Sequence, residues 1–340
     1  MKVALNCAHL KRENPDGIGI LGQNVLANIE ADTYCCPIPL PKPLMLAGWY
    51  VWAYTGLSAW LNIKKPDVLL NIDIALPLYK PSVHLLCDIV PLLERGIVNN
   101  LFTTAFRALT WDAIRRANAL VTISHSSRKE IENYYHLPEG TVKVAYPGYN
   151  HEVFRRVYDK SVLDKYKITK PFALFVGTLA PKKNIVRIVE AFERANVRGM
   201  ELLIVGQLYT GDNDIKSALE KPNVRWLNYI PMDDLPVLLS SAAMLVWPSL
   251  YEGFGLPIIE AMACGCPVIT SNVSSMPEVA GNAAILVNPY EIDEIAEAIK
   301  TLSVSPALCL KMGKQGIGRA KMFSWQNMAN ELIKVCESVA

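Results

Sequence analysis

The chain has almost no net charge: 34 lysines and arginines stand against 32 acidic residues over 340 positions, leaving +2. A balance so near zero gives no bulk electrostatic case for a nucleic-acid partner, which would call for a clear basic excess. No C-x-x-C pair occurs among the eight cysteines. Cys35 with Cys36 and Cys264 with Cys266 are not spaced like zinc ligands, so reduced, mostly buried thiols of a cytosolic protein are the expectation. Low-complexity tracts are also missing. The opening MKVALNCAHLKREN has too short an apolar run for a secretory signal. What is present is apolar bulk. With 51% hydrophobic and 19% charged residues, the chain reads as globular and is long enough for two domains, each with its own core.

Short apolar runs alternate with longer helical patterns twice over, which argues for two parallel-sheet layers of α/β type. In the first half, Val3 to Cys7, Val68 to Ile72, Val83 to Cys87, Leu120 to Ile123 and Val142 to Ala145 read as strands. In the second, Phe172 to Val176, Glu201 to Val205, Val224 to Leu227, Met244 to Trp247, Val268 to Thr270 and Ala284 to Val287 do the same. Strand signals stop before the polar stretch 158–170 and restart at Pro171. The expected division is therefore 1–157 for a first Rossmann-like domain, 158–322 for a second, and 323–340 for a closing helix packing back toward the first. Ligands of such folds sit beyond the carboxyl ends of the strands, and the stretches richest in polar and glycine residues fall there: Asn6 to Gly22, Asp88, Gly177 to Asn184 and Glu252 to Leu256.

The densest of these is PSLYEGFGLPIIEAMACGCPVITS, Pro248 to Ser271. Gly253 and Gly255 let backbone N–H groups approach an anion, and Pro257 suits the first position of a helix, where its missing N–H would be unpaired anyway. The helix N-terminus then faces the anion with its positive dipole end. Glu252 before the turn and Glu260 inside the helix are placed to accept hydrogen bonds from hydroxyls on either side of a diphosphate. In PKKN, Lys182 and Lys183 follow a strand directly, where a cation would neutralise that diphosphate.

The spacing Glu-x7-Glu resembles the signature of retaining glycosyltransferases of the GT-B fold, family GT4. The resemblance extends to FVGTLAPKKN (Phe175 to Asn184), NYIPMDDLPVLLSSAAMLVWPS (Asn228 to Ser249), SSMPEVAGNAAILVNP (Ser274 to Pro289) and FSWQNMA (Phe323 to Ala329), in the order and spacing of the mannosyltransferase-like branch. It implies two Rossmann-like domains with parallel sheets facing across a cleft. It also implies transfer of a sugar from a nucleotide diphosphate sugar, GDP-mannose before others, to a glycan or lipid-linked glycan. No cofactor is expected besides that donor substrate, and no metal. On this resemblance Glu252 contacts the transferred sugar and Glu260 the ribose. Gly253, Phe254, Gly255 and Leu256 offer backbone groups, Lys183 binds the diphosphate with Lys182 in reserve, and Gly17 and Gly19 of the first domain reach the donor phosphate.

Two departures stand out. Many relatives carry arginine after the glycine of the PKKN strand, where this chain has Thr178. The stretch VHLLCDIVPL has Cys87-Asp88 where His-Asp is usual, which leaves Asp88 as a candidate catalytic group or as the cap of the next turn. Loss of the histidine keeps open a catalytically weak donor-binding partner protein, and a GT-B sugar-nucleotide epimerase is a further alternative.

Other patterns point elsewhere and are weaker. Gly17-Ile-Gly-Ile-Leu-Gly22 has the G-x-G-x-x-G form, but residues including Lys11, Arg12 and Pro15 separate it from its strand, against a dinucleotide-binding reading. Asp212-Asn213-Asp214 looks like a metal-holding Asp-x-Asp, yet its setting suits a helix cap. The uncharged stretch 43–63 is long enough to span a bilayer, which would separate the motifs on either side of it. Flanking lysines and Trp49, Trp52, Tyr54 and Trp60 suit a helix lying in a membrane surface, and equally one packed on the first domain. The expectation is a cytoplasmic protein, with peripheral contact at the inner face of the cell membrane as one of these two readings.

Overall fold

A computed structural model describes residues 1–7, 17–29, 32–35, 47–93, 100–209 and 212–340. The chain divides into two compact units: Met1–Gly148 with Trp325–Ala340, and Tyr149–Ser324. The segment after Gly148 is fastened to the second unit. Phe154 is buried, and the Val157 N–H donates to Ser240 Oγ at 3.0 Å. The boundary therefore lies ahead of the polar stretch where strand signals stop.

Among the described residues, the first unit is built on six parallel strands: β1 (Lys2–Asn6), β2 (Asp32–Cys35), β3 (Val68–Asn71), β4 (Ser82–Leu85), β5 (Ala119–Thr122) and β6 (Val142–Val144). Their order is β2-β1-β3-β4-β5-β6. The central strands β3 and β4 are buried at every position, as expected of a parallel sheet covered on both faces. The strand β2 was not expected from the sequence; DTYC is short and begins on an acidic residue, so it carries little of the usual apolar signal.

The described part of the uncharged stretch forms a continuous helical run. It comprises Ala47–Trp52, a π-helical turn Ala53–Leu57 and Ser58–Lys64. Leu57 and Leu61 pack with Ala4, Leu69, Leu76 and Ala113, and half-buried Trp52 and Trp60 lie against the same cluster. Tyr54 Oη donates to Asp112 Oδ2 at 2.6 Å, and Arg116 Nε reaches both Asp112 oxygens at 2.9 Å, so the run is pinned to the helix Asn100–Arg116. Its outer face exposes Val51 and Ile63. Residues 43–46 lie outside those described. Among the described residues, no helix is long and apolar enough to cross a membrane. The last helix, Trp325–Glu337, packs beside the helix Gly17–Asn28, with Gln326 Nε2 donating to the Asn28 carbonyl at 3.1 Å.

The second unit repeats the plan with β7 (Phe172–Val176), β8 (Glu201–Val205), β9 (Val224–Asn228), β10 (Met244–Trp247), β11 (Val268–Ser271) and β12 (Ala284–Val287). All are parallel, in the order β12-β11-β10-β7-β8-β9. Counted within the unit this is the doubly wound order of a Rossmann fold. Its strand order reverses between β7 and β10, and the connecting loops part there. The helix Ile185–Ala195 buries Ile185, Ile188, Val189 and Phe192, an apolar stripe of helical period.

Candidate functional site in the second unit

The chain leaves β7 through Gly177, Thr178, Leu179 and a 3-10 turn Pro181–Lys183. It leaves β10 through Pro248 to Gly255 and enters the helix Leu256–Ala263. Both exits lie at the point where the strand order reverses, so topology alone brings PKKN and YEGFG together.

Trp247, the last residue of β10, forms the floor of this site. It is 1% exposed, and its indole N–H donates to the Val176 carbonyl at 2.8 Å, bridging the ends of β10 and β7. The Lys183 ammonium sits over its ring, 4.6 Å from the centroid. The other side of the turn meets the same ring. Gly255 has φ +106°, and a Cβ there would come within 3.0 Å of Ile258 and 3.2 Å of the Trp247 ring. Only glycine supplies both the backbone angle and the space. The helix then starts at Leu256, which puts Pro257 second rather than first, still within the turn whose N–H groups have no helical partner.

Lys183 and Glu252 meet directly, Nζ to Oε1 at 2.5 Å, with side chains only 14% and 10% exposed. Lys182 contributes backbone instead, its carbonyl accepting from the Leu250 N–H at 2.8 Å. Between the two lysines, the structure thus places Lys183 in the site. Thr178 is exposed.

Several residues that position these groups were not singled out in the sequence. Asn184 is 3% exposed and left-handed at φ 65°. Its Nδ2 donates to the carbonyls of Pro248 at 3.0 Å and Pro289 at 2.7 Å, tying the exits of β10 and β12 to that of β7. The run after β11 fastens the Glu252 loop. Ser274 Oγ donates to the Glu252 carbonyl at 2.6 Å, and Ser275 Oγ lies 2.9 and 2.8 Å from the carbonyls of Glu252 and Phe254. Thr270 Oγ1 donates to the Trp247 carbonyl at 3.1 Å. The motif SSMPEV was visible in the sequence, but nothing in its spacing reveals which loop its hydroxyls would hold. The Phe254 ring packs edge-on against Phe323 at 5.5 Å, and Gly253 is buried beside it.

Glu260 lies on the second turn of the helix Leu256–Ala263. Among the described residues it makes no ion pair, and removal from water pushes its carboxyl up to about 7. The neighbouring Cys264 thiol is pushed up to about 12 by burial, with the nearby Glu260 charge adding to the rise and the Ser240 hydrogen bond opposing it, so it stays protonated. Asp212 accepts from the N–H groups of Asp214 at 3.0 Å and Ile215 at 3.1 Å, which is the capping geometry of the helix Asn213–Leu219.

In the first unit, Gly17 opens the helix Gly17–Asn28 and Gly19 is buried in its first turn. The preceding residues 8–16, with Lys11, Arg12 and Pro15, lie outside those described. Asp88 Oδ1 accepts from the Val90 N–H at 3.1 Å and so caps the short helix Val90–Leu93. Half-buried Cys87 gives its carbonyl to Thr122 Oγ1 at 3.1 Å. His84 is fully enclosed; Asn71 Nδ2 lies 2.9 Å from its Nδ1, and Asn6 Nδ2 donates to Asn71 Oδ1 at 2.6 Å. Burial, with Arg116 nearby, pulls the His84 ring down to about 4, so it is neutral at pH 7 and does not replace the histidine absent at Cys87.

Residues 162–319 match the family described as "Glycosyl transferases group 1". Over 232 residues the chain is 32% identical to O-antigen chain mannosyltransferase B of Escherichia coli, covering 65% of this chain and 61% of that relative, so it spans under two thirds of the relative's length. Among solved structures it resembles WaaG, a glycosyltransferase involved in lipopolysaccharide biosynthesis, at TM-score 0.75 and 15% identity over 99% of both chains. It resembles Anabaena Alr3699/HepE, solved in complex with UDP and glucose, at TM-score 0.75 and 16% identity over the whole of both chains.

Proposed function

We propose, from the match of residues 162–319 to the group 1 glycosyl transferases and from the two parallel-sheet units of GT-B type, that this protein is a retaining glycosyltransferase. It moves a sugar from a nucleoside diphosphate sugar to a glycan or lipid-linked glycan. The observation that carries the reading is the meeting of Lys183, Glu252 and a glycine-opened helix N-terminus over Trp247, where the strand order reverses. A cation and a ring of backbone N–H groups suit a diphosphate, and a carboxylate suits sugar hydroxyls.

In this reading the bond between the anomeric carbon and the β-phosphate oxygen breaks as the acceptor oxygen bonds that carbon from the same face. The acceptor proton passes to the departing phosphate oxygen. Lys183 and the helix N-terminus stabilise the charge that grows on the diphosphate, which is the part of the reaction where fixed charges lower the barrier most. Glu252 orients the sugar and Glu260 the ribose. Asp88 is a weaker catalytic candidate, since its carboxylate already caps a turn. No divalent ion is needed, because the positive charge is supplied by the chain.

Mannose from GDP-mannose is the favoured donor, on the strength of the mannosyltransferase relative. The UDP of the Anabaena structure makes UDP-glucose its competitor. A cytoplasmic protein working at the inner face of the membrane agrees with a lipid-linked acceptor. The exposed Val51 and Ile63, with Lys64 and Lys65 at the helix end, are the groups that would touch lipid. The test is a panel of nucleotide sugars scored by thermal stabilisation and slow donor hydrolysis, with and without EDTA. GDP-mannose is expected to stabilise most, with turnover unchanged by the chelator. A larger shift with UDP-glucose overturns the donor, and loss of activity restored by manganese overturns the metal-free mechanism.

A further inference from the structure

The proposed reading gives Lys183 to the diphosphate and Glu252 to the sugar, yet without a ligand these two side chains hold each other at 2.5 Å. The pair is built into the fold. The ammonium is centred over Trp247, whose own N–H is committed to Val176. On the other side, the Glu252 carbonyl accepts from Ser274 and lies within hydrogen-bond distance of Ser275 Oγ, and the Glu252 N–H donates back to Ser274 Oγ at 3.3 Å. The two loops are joined by Leu250 N–H to the Lys182 carbonyl and by Asn184 to Pro248. Neither partner is a long surface chain that meets the other by chance, and both are largely out of water, so the ion pair is more than a screened surface contact.

A carboxylate and a diphosphate are alternative acceptors for the same ammonium hydrogens. We propose that Glu252 competes with the nucleoside diphosphate for Lys183, and that this competition assists product release. When the whole donor is bound, sugar hydroxyls occupy the Glu252 carboxylate and leave Lys183 to the phosphates. After transfer the sugar is gone, Glu252 loses those partners, and its carboxylate recovers Lys183 while standing as a second anion near the departing diphosphate. The inference rests on the donor-binding reading given above and adds to it a role for Glu252 after the chemical step.

The test is calorimetric titration of GDP and of UDP into the wild type, Glu252→Gln, Lys183→Met and the double variant, each checked for native melting. Glu252→Gln is expected to bind the preferred nucleoside diphosphate about three- to tenfold more tightly than the wild type, as release of a partly buried lysine from its partner would give. Lys183→Met is expected to bind more weakly, and in its background the glutamine should bring no gain, which is the coupling a double-mutant cycle isolates. Glu252→Asp keeps the charge but withdraws it from Nζ, and should also gain affinity. It is read in place of the glutamine variant if that one does not fold. Equal or weaker binding by both Glu252 variants overturns the competition, as does the same gain without Lys183. If neither nucleotide binds the wild type or any variant, the donor reading itself fails.

Discussion

Gly206, just past β8, rests against the backbone of Gly177, just past β7: a Cβ on Gly206 would lie 1.8 Å from the Gly177 carbonyl oxygen. Gly206 also has φ +143°, outside the range that side-chain-bearing residues readily adopt. The obstacle is backbone, which cannot swing aside as a flexible side chain would. The contact sits at the root of the loop that delivers Lys183.

Gly206→Ala is therefore expected to destabilise the second unit by about 3 kcal/mol, the scale of combined backbone strain and overpacking. Urea unfolding followed by tryptophan fluorescence would check it. A loss under about 1 kcal/mol would mean that the two strand ends part easily.

Asn184 offers a second test of the same framework. Asn184→Ala leaves the carbonyls of Pro248 and Pro289 without their donor and forces alanine into a left-handed conformation. A cost of about 2–4 kcal/mol is expected from the unpaired buried carbonyls and the backbone strain. Nucleotide affinity should fall as well, because Lys183 precedes Asn184 on the same turn. Unchanged affinity in a folded variant would show that Lys183 is positioned without it.

Glu260 yields a prediction in pH. Its folded carboxyl is held up at about 7 against an ordinary 4.5, so between these values the folded state holds a proton that the unfolded state has released. Stability contributed by this group thus falls as pH rises through that window, and above about 7 the half-buried carboxylate is ionised in the folded state as well. Glu260→Gln is expected to raise the melting temperature of the unliganded protein at pH 8 and to leave it nearly unchanged at pH 4.5. Parallel melting curves for the two proteins at both pH values would remove the assignment. In the liganded protein the sign reverses if ribose hydroxyls donate to the carboxylate, since they favour its ionised form.

Much of the architecture could be read along the chain. The bounds of β7, β8 and β10 coincide with those expected from apolar runs, because strands buried on both faces are apolar at nearly every position, and those of the edge strand β12 coincide too, although only Val287 of it is buried. The strand β2 could not be read this way, being four residues that open on Asp32. Asp212 was legible as a cap because capping depends on neighbours two and three residues away. The uncharged stretch was harder. Its composition suits lipid or a protein interior equally, and only the packing of Leu57 and Leu61 on Leu69 and Leu76 shows how much of it the first unit covers.

The sequence by itself determined the two α/β layers, the glycine turn at Gly255, the two glutamates flanking it and the lysine pair beyond β7, all through residue types and local spacing. Tertiary structure alone decided that Lys183 rather than Lys182 meets Glu252, that Trp247 lies beneath them, and that Asn184, Ser274 and Ser275 hold the loops. It also decided that His84 is sealed and neutral. The physical reason is distance along the chain. Lys183 and Glu252 are 69 residues apart, and Asn184 and Pro289 are 105 apart. Such pairs are joined by the parallel order of strands and the reversal between β7 and β10, which no local pattern of side chains encodes.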